Sequence, residues 1–225
     1  MKRYFLYAAS EILLVVIGIL IAVSINNWNE VRKNHATENK LLLELKENLS
    51  INIKRLNHDI ILEDKTIDAI NYIAEHFDAR RDYQESLDSY FKLAFFAPDI
   101  VLSESAFESI RSRGFEIIRS DELRKSIIEL FDVSYANMIS ETVRLENQFW
   151  PAAILPIKHK YFRPVDEQRI RPVNYMRLLN DPIYLNTILD RKNFRAQSKN
   201  LKNQCLLATE ATMEAINDYL NEDKK

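Results

Sequence analysis

The hydrophobic pattern of the chain begins with an almost continuous apolar stretch from Tyr4 to Ile25. As a helix, this stretch would extend about 33 Å, which is enough to cross the hydrocarbon core of a bilayer. Trp28 follows within one turn, and aromatic rings of this kind favour the headgroup level. The pattern predicts one transmembrane helix, with the anchor and its short N-terminal tail in residues 1–28 and a separate domain in residues 29–225.

A cleavable signal peptide is the main alternative to an anchor. Lys2 and Arg3 form a basic start, and Ala22–Ser24 offers small residues at the spacing of a cleavage site. The apolar span is longer than such signals usually are, which favours the anchor. The charge rule for orientation is nearly balanced, with Lys2 and Arg3 before the apolar stretch and Arg32, Lys33 and Lys40 after it. A basic N-terminus close to an anchor most often stays in the cytoplasm. We therefore expect a single-pass protein of the inner (cytoplasmic) membrane, with residues 29–225 outside the cytoplasm.

One face of the predicted anchor carries Glu11, Gly18 and Ala22. Gly18 and Ala22 form a small-xxx-small pair, which lets two helices approach closely, and Glu11 would hydrogen-bond across the contact. We interpret these residues as a candidate helix-association face. The alternative is a lone glycine facing lipid, with Glu11 directed towards the headgroups, because such pairs often arise by chance.

Beyond the anchor, apolar residues recur every three or four positions as far as Phe77. This rhythm predicts a long amphipathic helix over about 30–80 that can continue directly from the anchor. The helix fits a coiled coil between subunits or an intramolecular bundle, and its wide apolar stripe favours the bundle. Glu63 occupies one expected apolar position. The stripe consists of Leu42, Leu45, Leu49, Ile53, Leu56, Ile60, Ile67, Ile70, Ala74 and Phe77.

The rest of the chain is also predicted to be helical. Shorter helices are expected over about 83–113, a longer helix over about 121–150 and a last helix over about 182–221. A proline-rich irregular connection is expected over about 151–181. The chain has two glycines, too few for sheets joined by tight turns. The predicted fold class is all-α, with one N-terminal transmembrane helix, a long amphipathic helix and a helical bundle.

Local signals indicate where several helices begin and end. Ser105 and Glu108 have the spacing of a capping box, and Gly114 suits the left-handed position after that helix. Ser120 precedes two acidic residues and is predicted to cap the next helix. Pro182 suits the first turn of the last helix.

No arrangement of residues in the sequence argues for catalysis. The four histidines lack the spacing of a helical zinc site or of a di-iron bundle. Ser89 and Lys92 match the start of a serine acyl-enzyme motif whose other parts are missing, so we interpret them as helix surface. Cys205 is interpreted as a small core residue. We expect a protein that is not an enzyme, with no catalytic, cofactor-binding or metal site.

Positive charge is concentrated between residues 158 and 202, which hold 11 Lys or Arg against 4 Asp or Glu. The basic residues at the start of this segment are candidates for contact with an anionic surface such as lipid headgroups: Lys158, Lys160, Arg163, Arg169 and Arg171. A second basic row follows on one helix face: Arg191, Arg195, Lys199 and Lys202. The alternative for both sets is a solvated surface paired with acidic helices of the same molecule. The expected location outside the cytoplasm argues against a nucleic-acid partner.

The stretch from Glu11 to Glu30, EILLVVIGILIAVSINNWNE, resembles the opening of a family of uncharacterised single-pass membrane proteins from Bacteroidota, known as a domain of unknown function. A looser similarity runs from Phe107 to Leu123, where family members often have Ser-Ser-Gly and this chain has Arg113 in place of the second serine. The resemblance implies an anchor in place of a cleaved signal. It implies no activity, substrate or catalytic residue.

These observations favour a membrane-anchored helical interaction or scaffold protein of the cell envelope. Its expected partners are the lipid bilayer, an unknown protein and, through the anchor or the long helix, a second copy of the chain. The alternative is an extracytoplasmic sensory module that binds a ligand between its helices and signals through a partner chain. A polar pocket inside the bundle would favour that alternative.

Overall fold

The structure, a computed structural model, describes the backbone of residues 2–222 and the side chains of residues 13–222. Its longest helix, α1, runs without a break from Lys2 to Asp78, so the apolar stretch and the amphipathic helix form one rod. No proline occurs before Pro98, and nothing in this range interrupts the helical hydrogen bonds. At about 1.5 Å per residue, α1 carries its end about 80 Å beyond Ile25.

The other elements form a helical bundle beside α1 with one small hairpin. β1 and β2 pair antiparallel, and they are the only strands in the part of the chain that the structure describes. The predicted all-α fold with a long apolar N-terminal helix is therefore confirmed. The elements are α2 (Leu87–Ala94), α3 (Ser105–Arg113), a 3-10 turn (Phe115–Ile117), α4 (Asp121–Ile128), a π-helical segment (Glu129–Tyr135), α5 (Ala136–Phe149), a second π-helical segment (Trp150–Ile154), α6 (Leu155–Tyr161), β1 (Phe162–Pro164), β2 (Ile170–Pro172), α7 (Tyr175–Leu179) and α8 (Pro182–Glu222).

Helix α8 has 41 residues and packs antiparallel along α1. Lys202 contacts Glu63 midway along the two helices, and Tyr219 contacts Glu38 nearer the apolar stretch. The end of α8 therefore returns towards the anchor. We call the end of the domain nearest the anchor the proximal end, and the end near Asp78 the distal end.

Two apolar clusters fill the bundle, one towards each end. In the proximal cluster, the rings of Phe107 and Phe131 stack with their centroids 4.2 Å apart. Cys205 is buried in this cluster, so its predicted role as a core residue is confirmed. The proximal cluster includes Leu42, Leu45, Leu49, Phe107, Phe131, Tyr135 and Ile216, and the distal cluster includes Ile70, Phe77, Phe91, Phe162, Tyr184 and Ile188.

The buried seam of α1 differs from the predicted stripe in its middle. Asn52, Glu63 and Thr66 are fully buried there, whereas the predicted core residues Ile53 and Ile67 are only half-buried. Polar side chains enter the seam because they have partners: the Asn52 side chain donates to the Ser103 carbonyl over 3.0 Å and accepts from its N–H over 2.6 Å. A prediction based only on apolar residues selects Ile53 and Ile67 in place of the buried polar residues Asn52 and Thr66 beside them. This explains the difference between the predicted and the observed seam.

The proline-rich segment is more helical than predicted. The helical path continues from α5 through the second π-helical segment and α6 to Tyr161. Pro151 and Pro156 lie at the start of the second π-helical segment and of α6, where the helical hydrogen-bond pattern changes and their missing N–H donors are accommodated. The irregular connection predicted over 151–181 is therefore wrong for 151–161. Its remainder contains the β1–β2 hairpin and the short helix α7.

One of the predicted caps is confirmed and another is wrong. The Ser120 hydroxyl accepts the Leu123 N–H over 3.2 Å, as predicted for an N-cap. Ser105 is instead the first residue of α3, and its hydroxyl donates to the Asn48 side chain over 3.1 Å, so no capping box forms. Gly114 follows α3 with φ +93°, the region that favours glycine.

Candidate functional site

The apolar part of α1 is exposed along all of its described length. From Leu13 to Ile25, the large apolar side chains are between 44% and 74% exposed, and no other described element packs against them. Near its N-terminus, α1 is long and apolar enough to span a membrane. A helix that is apolar on every face and lacks protein partners needs apolar surroundings. The exposed apolar segment of α1 is therefore the first candidate site.

The predicted helix-association face lies on this exposed segment. Gly18 has no neighbouring atom within 4 Å of an added Cβ, and Ala22 is exposed. The side chain of Glu11 lies outside the described residues. The association face therefore stays a prediction, and a single chain leaves Gly18 and Ala22 open to a second helix.

Replacing Gly18 by leucine should reduce the dimer fraction of the anchor if this face mediates self-association. The added side chain would push two backbones apart and remove close packing. Glu11→Ala should have a smaller effect, about 1 kcal/mol for one hydrogen bond in a membrane. The measurement is a membrane association assay on the anchor segment. The matched control is Leu13→Ala on the opposite face, and equal behaviour of Gly18→Leu and Leu13→Ala would mean that the anchor only tethers the chain.

The middle of the bundle contains a layer of buried charges between the two apolar clusters. Glu63 Oε1 accepts from Lys202 Nζ and from Ser198 Oγ, each over 2.7 Å, and all three side chains are fully buried. Arg195 Nη1 lies 3.5 Å from the other Glu63 oxygen and Asp59 lies 3.9 Å from Lys202 Nζ. Burial raises the pKa of Asp59, and Lys202 opposes that change.

Arg191 extends this charged layer to α2 and α5. Its guanidinium donates to the Ala94 carbonyl over 2.9 Å and to the Phe95 and Phe96 carbonyls over 3.0 Å, which satisfies the C-terminal end of α2. Glu146 pairs with Arg191 over 3.2 Å and also accepts from Arg195. Burial lowers the pKa of Arg191 to about 10, which leaves it charged at neutral pH.

The second basic row of the sequence therefore does not form a solvated surface. Arg191, Arg195 and Lys202 are fully buried, and only Lys199 is partly exposed, where it pairs with Asp64 over 2.5 Å. The predicted pairing with acidic residues of the same molecule is confirmed, but the predicted exposure to solvent is wrong. A row of basic residues has the same spacing whether it faces water or carboxylates on another helix. The one sequence signal for the buried layer was Glu63 at an apolar position. We infer that the charges fix the register of α8 on α1.

The five basic residues predicted to contact an anionic surface lie at the distal end of the domain. Arg171 pairs with Asp88 over 2.8 Å and with Glu85 over 2.9 Å. Lys160 pairs with Asp181 over 3.2 Å, and Arg169 pairs with Asp166.

Lys158 and Arg163 are the other two basic residues of this set. Lys158 lies over the Trp150 ring at 5.7 Å, and Arg163 is exposed on β1. Because α1 separates this end from Ile25 by about 80 Å, these residues lie far from the headgroups of a bilayer that α1 crosses upright. Contact with another anionic surface stays a prediction.

A surface cleft of about 710 Å³ opens at the distal end between α2 and the loop of the hairpin. A second cleft of about 330 Å³ adjoins it and shares Lys92 and Leu93. Both clefts carry charges of either sign and open to solvent. The first is lined by Ser89, Lys92, Leu93, Asp166, Glu167, Gln168 and Arg169, and the second adds Phe95, Phe96, Ala97, Glu146, Trp150 and Lys158.

Metal-binding chemistry finds no support in the described side chains. Among residues 13–222, no three His, Cys, Asp or Glu side chains form a group that could hold a metal ion. Burial raises the pKa of the Cys205 thiol to about 11, and its sulfur contacts the Ser134 carbonyl, so it is a poor nucleophile. Ser89 and Lys92 belong to the partly exposed surface of α2, as interpreted from the sequence.

The fold and these surfaces define a class of protein: a helical bundle whose first helix carries an exposed segment long and apolar enough to span a membrane. Residues 11–149 match a family described as a family of unknown function (DUF6090), and the chain belongs to that family. The expectation that the chain belongs to a family of unknown function is therefore confirmed. No curated protein and no solved structure matches the chain.

Proposed function

We propose that this protein is a membrane-anchored helical interaction or scaffold protein of the cell envelope, with no catalytic activity of its own. The observation that carries the proposal is the continuity of α1 from its exposed apolar segment to the distal end. A rod of this kind holds a surface at a fixed distance of about 80 Å from its anchor. The buried charged layer supports a rigid domain, because it ties α1, α5 and α8 together.

The proposed location is the inner (cytoplasmic) membrane, with one span and with residues 29–225 outside the cytoplasm. Lys2 and Arg3 on the N-terminal side of the apolar segment support this orientation, and Arg32 and Lys33 on its other side oppose it. Because a domain outside the cytoplasm does not meet nucleic acid, the proposed partner is a protein.

The distal end is the proposed docking surface for that protein partner. Val173, Met176 and Ile183, which lie around α7 and the start of α8, are 58% to 66% exposed. Apolar side chains on an exposed end favour contact with another protein. The family match ends at residue 149, before this surface, so the proposal concerns this chain.

Thiol-directed crosslinking in sealed right-side-out membrane vesicles tests both the orientation and the docking surface. A membrane-impermeant crosslinker should react with Met176→Cys without permeabilisation, and Cys205 should stay unlabelled because it is buried. Met176→Cys should capture a defined protein. The control Leu207→Cys, at a side chain that is 66% exposed on the flank of α8, should be labelled equally but should capture much less of that protein.

Labelling that requires permeabilised vesicles would reverse the proposed orientation. Equal capture by the Met176→Cys and Leu207→Cys chains would remove the distal end as the docking surface. The second candidate function is a sensory module that signals through a partner chain, for which the distal clefts would be the ligand site. Thermal stabilisation of the chain by a small molecule, lost in Lys92→Ala, would favour the sensor.

A further inference from the structure

A pocket of about 400 Å³ lies at the proximal end, between α1 and the segment that follows α3. The helical rise puts Val31 about 9 Å and Glu38 about 20 Å beyond Ile25. Headgroups extend roughly 5–8 Å beyond the hydrocarbon core, and long basic side chains can extend further towards them. The lower edge of the pocket therefore adjoins the headgroup layer. The pocket is lined by Val31, Asn34, His35, Glu38, Arg113, Glu116, Ile117 and Arg119.

Two of the four charged residues in this pocket neutralise each other. Glu38 is fully buried, and its carboxylate accepts from Arg119 Nε over 2.7 Å, from the Arg119 N–H over 2.9 Å and from Tyr219 Oη over 2.7 Å. These contacts tie the segment after α3 and the end of α8 to α1. They give the pocket a fixed wall.

The other two charged residues are Arg113 and Glu116. Both are exposed, and neither forms an ion pair or a hydrogen bond with any side chain in residues 13–222. They lie on either side of Gly114, three residues apart, and line the same pocket. The pocket therefore offers one cation and one anion to a ligand.

We propose that this pocket binds the headgroup of a zwitterionic phospholipid from the anchoring bilayer, one that carries a phosphate and a primary ammonium. The Arg113 guanidinium would donate to the phosphate, and the Glu116 carboxylate would accept from the ammonium. An anionic headgroup without an ammonium would satisfy Arg113 but leave Glu116 beside another negative charge. Trp28, which is 66% exposed with Arg32 5.5 Å from its ring, lies just below the pocket at the headgroup level.

Hydrogen exchange of the full chain in nanodiscs tests this inference, which rests on the proposed anchoring. Amides between Arg113 and Arg119 should exchange about tenfold more slowly with phosphatidylethanolamine than with phosphatidylcholine, the effect of about one charge-assisted hydrogen bond. Phosphatidylcholine has the same phosphate, but its methylated ammonium has no N–H donor. Arg113→Gln should abolish the slowing, and Glu116→Gln should make the two lipids equivalent.

The matched control is Arg163→Gln, which removes an exposed arginine at the distal end and should leave the slowing unchanged. Soluble phosphoethanolamine added to phosphatidylcholine nanodiscs separates a free ligand from a lipid, and slowing by it alone would overturn the lipid assignment. Equal exchange in the two lipids, in a chain that has entered the nanodisc, would overturn the headgroup site and leave the anchor intact. A chain that does not enter nanodiscs would overturn both the anchor and the site.

Discussion

Replacing Glu63 by alanine should lower the free energy of unfolding by about 3–5 kcal/mol, the cost of breaking a buried ion pair. Glu63 is the central carboxylate of the charged layer, with Lys202 and Ser198 each bonded over 2.7 Å. Without it, the buried Lys202 ammonium would keep only the Asp59 contact at 3.9 Å. Chemical denaturation of the full chain in detergent, followed by circular dichroism, measures the change.

Asp64 provides a matched control on the next residue of α1. Its carboxylate pairs with Lys199 over 2.5 Å, but the two side chains are 46% and 34% exposed. Asp64→Ala should therefore cost only about 0–1 kcal/mol. The double change Glu63→Leu with Lys202→Leu should cost less than the sum of its two single changes, because neither charge is left unpaired. Equal costs for Glu63→Ala and Asp64→Ala would show that the layer contributes no more than a surface ion pair.

Placing lysines at Ile17 and Leu20 should release the chain from the membrane. A lysine near the centre of a membrane helix costs about 2.5–3.5 kcal/mol on insertion scales, so the two changes together oppose insertion by roughly 5–7 kcal/mol. The wild-type chain should stay in the membrane fraction after a carbonate wash, and the double variant should move largely to the soluble fraction. Mass spectrometry of the wild-type chain should show that Met1 to Ile25 are retained.

The control lies on the same helix. Leu43 and Ile61 are each 53% exposed on α1 beyond the apolar segment, and lysines there should leave the membrane fraction unchanged. A mature N-terminus at about Ile25 would show that the segment is a cleaved signal. Release of the control variant to the same extent would show that the apolar segment does not determine membrane attachment.

The sequence by itself determined the features that depend on neighbouring residues. The apolar run, the lack of proline before Pro98 and the three-four rhythm predicted the apolar helix and the all-α fold, because helix formation depends on local composition and periodicity. The Ser120 cap and the start of α8 near Pro182 were also local signals. Cys205 was recognised as a core residue because it lies on the apolar side of its helix.

Tertiary structure alone decided which polar residues are buried and which charges remain open. Lys202 and Glu63 are 139 positions apart, so their pairing depends on how α8 packs along α1. The same packing separates the basic hairpin region from the anchor. The packing of α3 and the following 3-10 turn against α1 places Arg113 and Glu116 in one pocket at the proximal end. A charged residue shows the same sequence pattern whether it faces water or a buried counter-ion. Only its partner across the helix interface distinguishes the two cases.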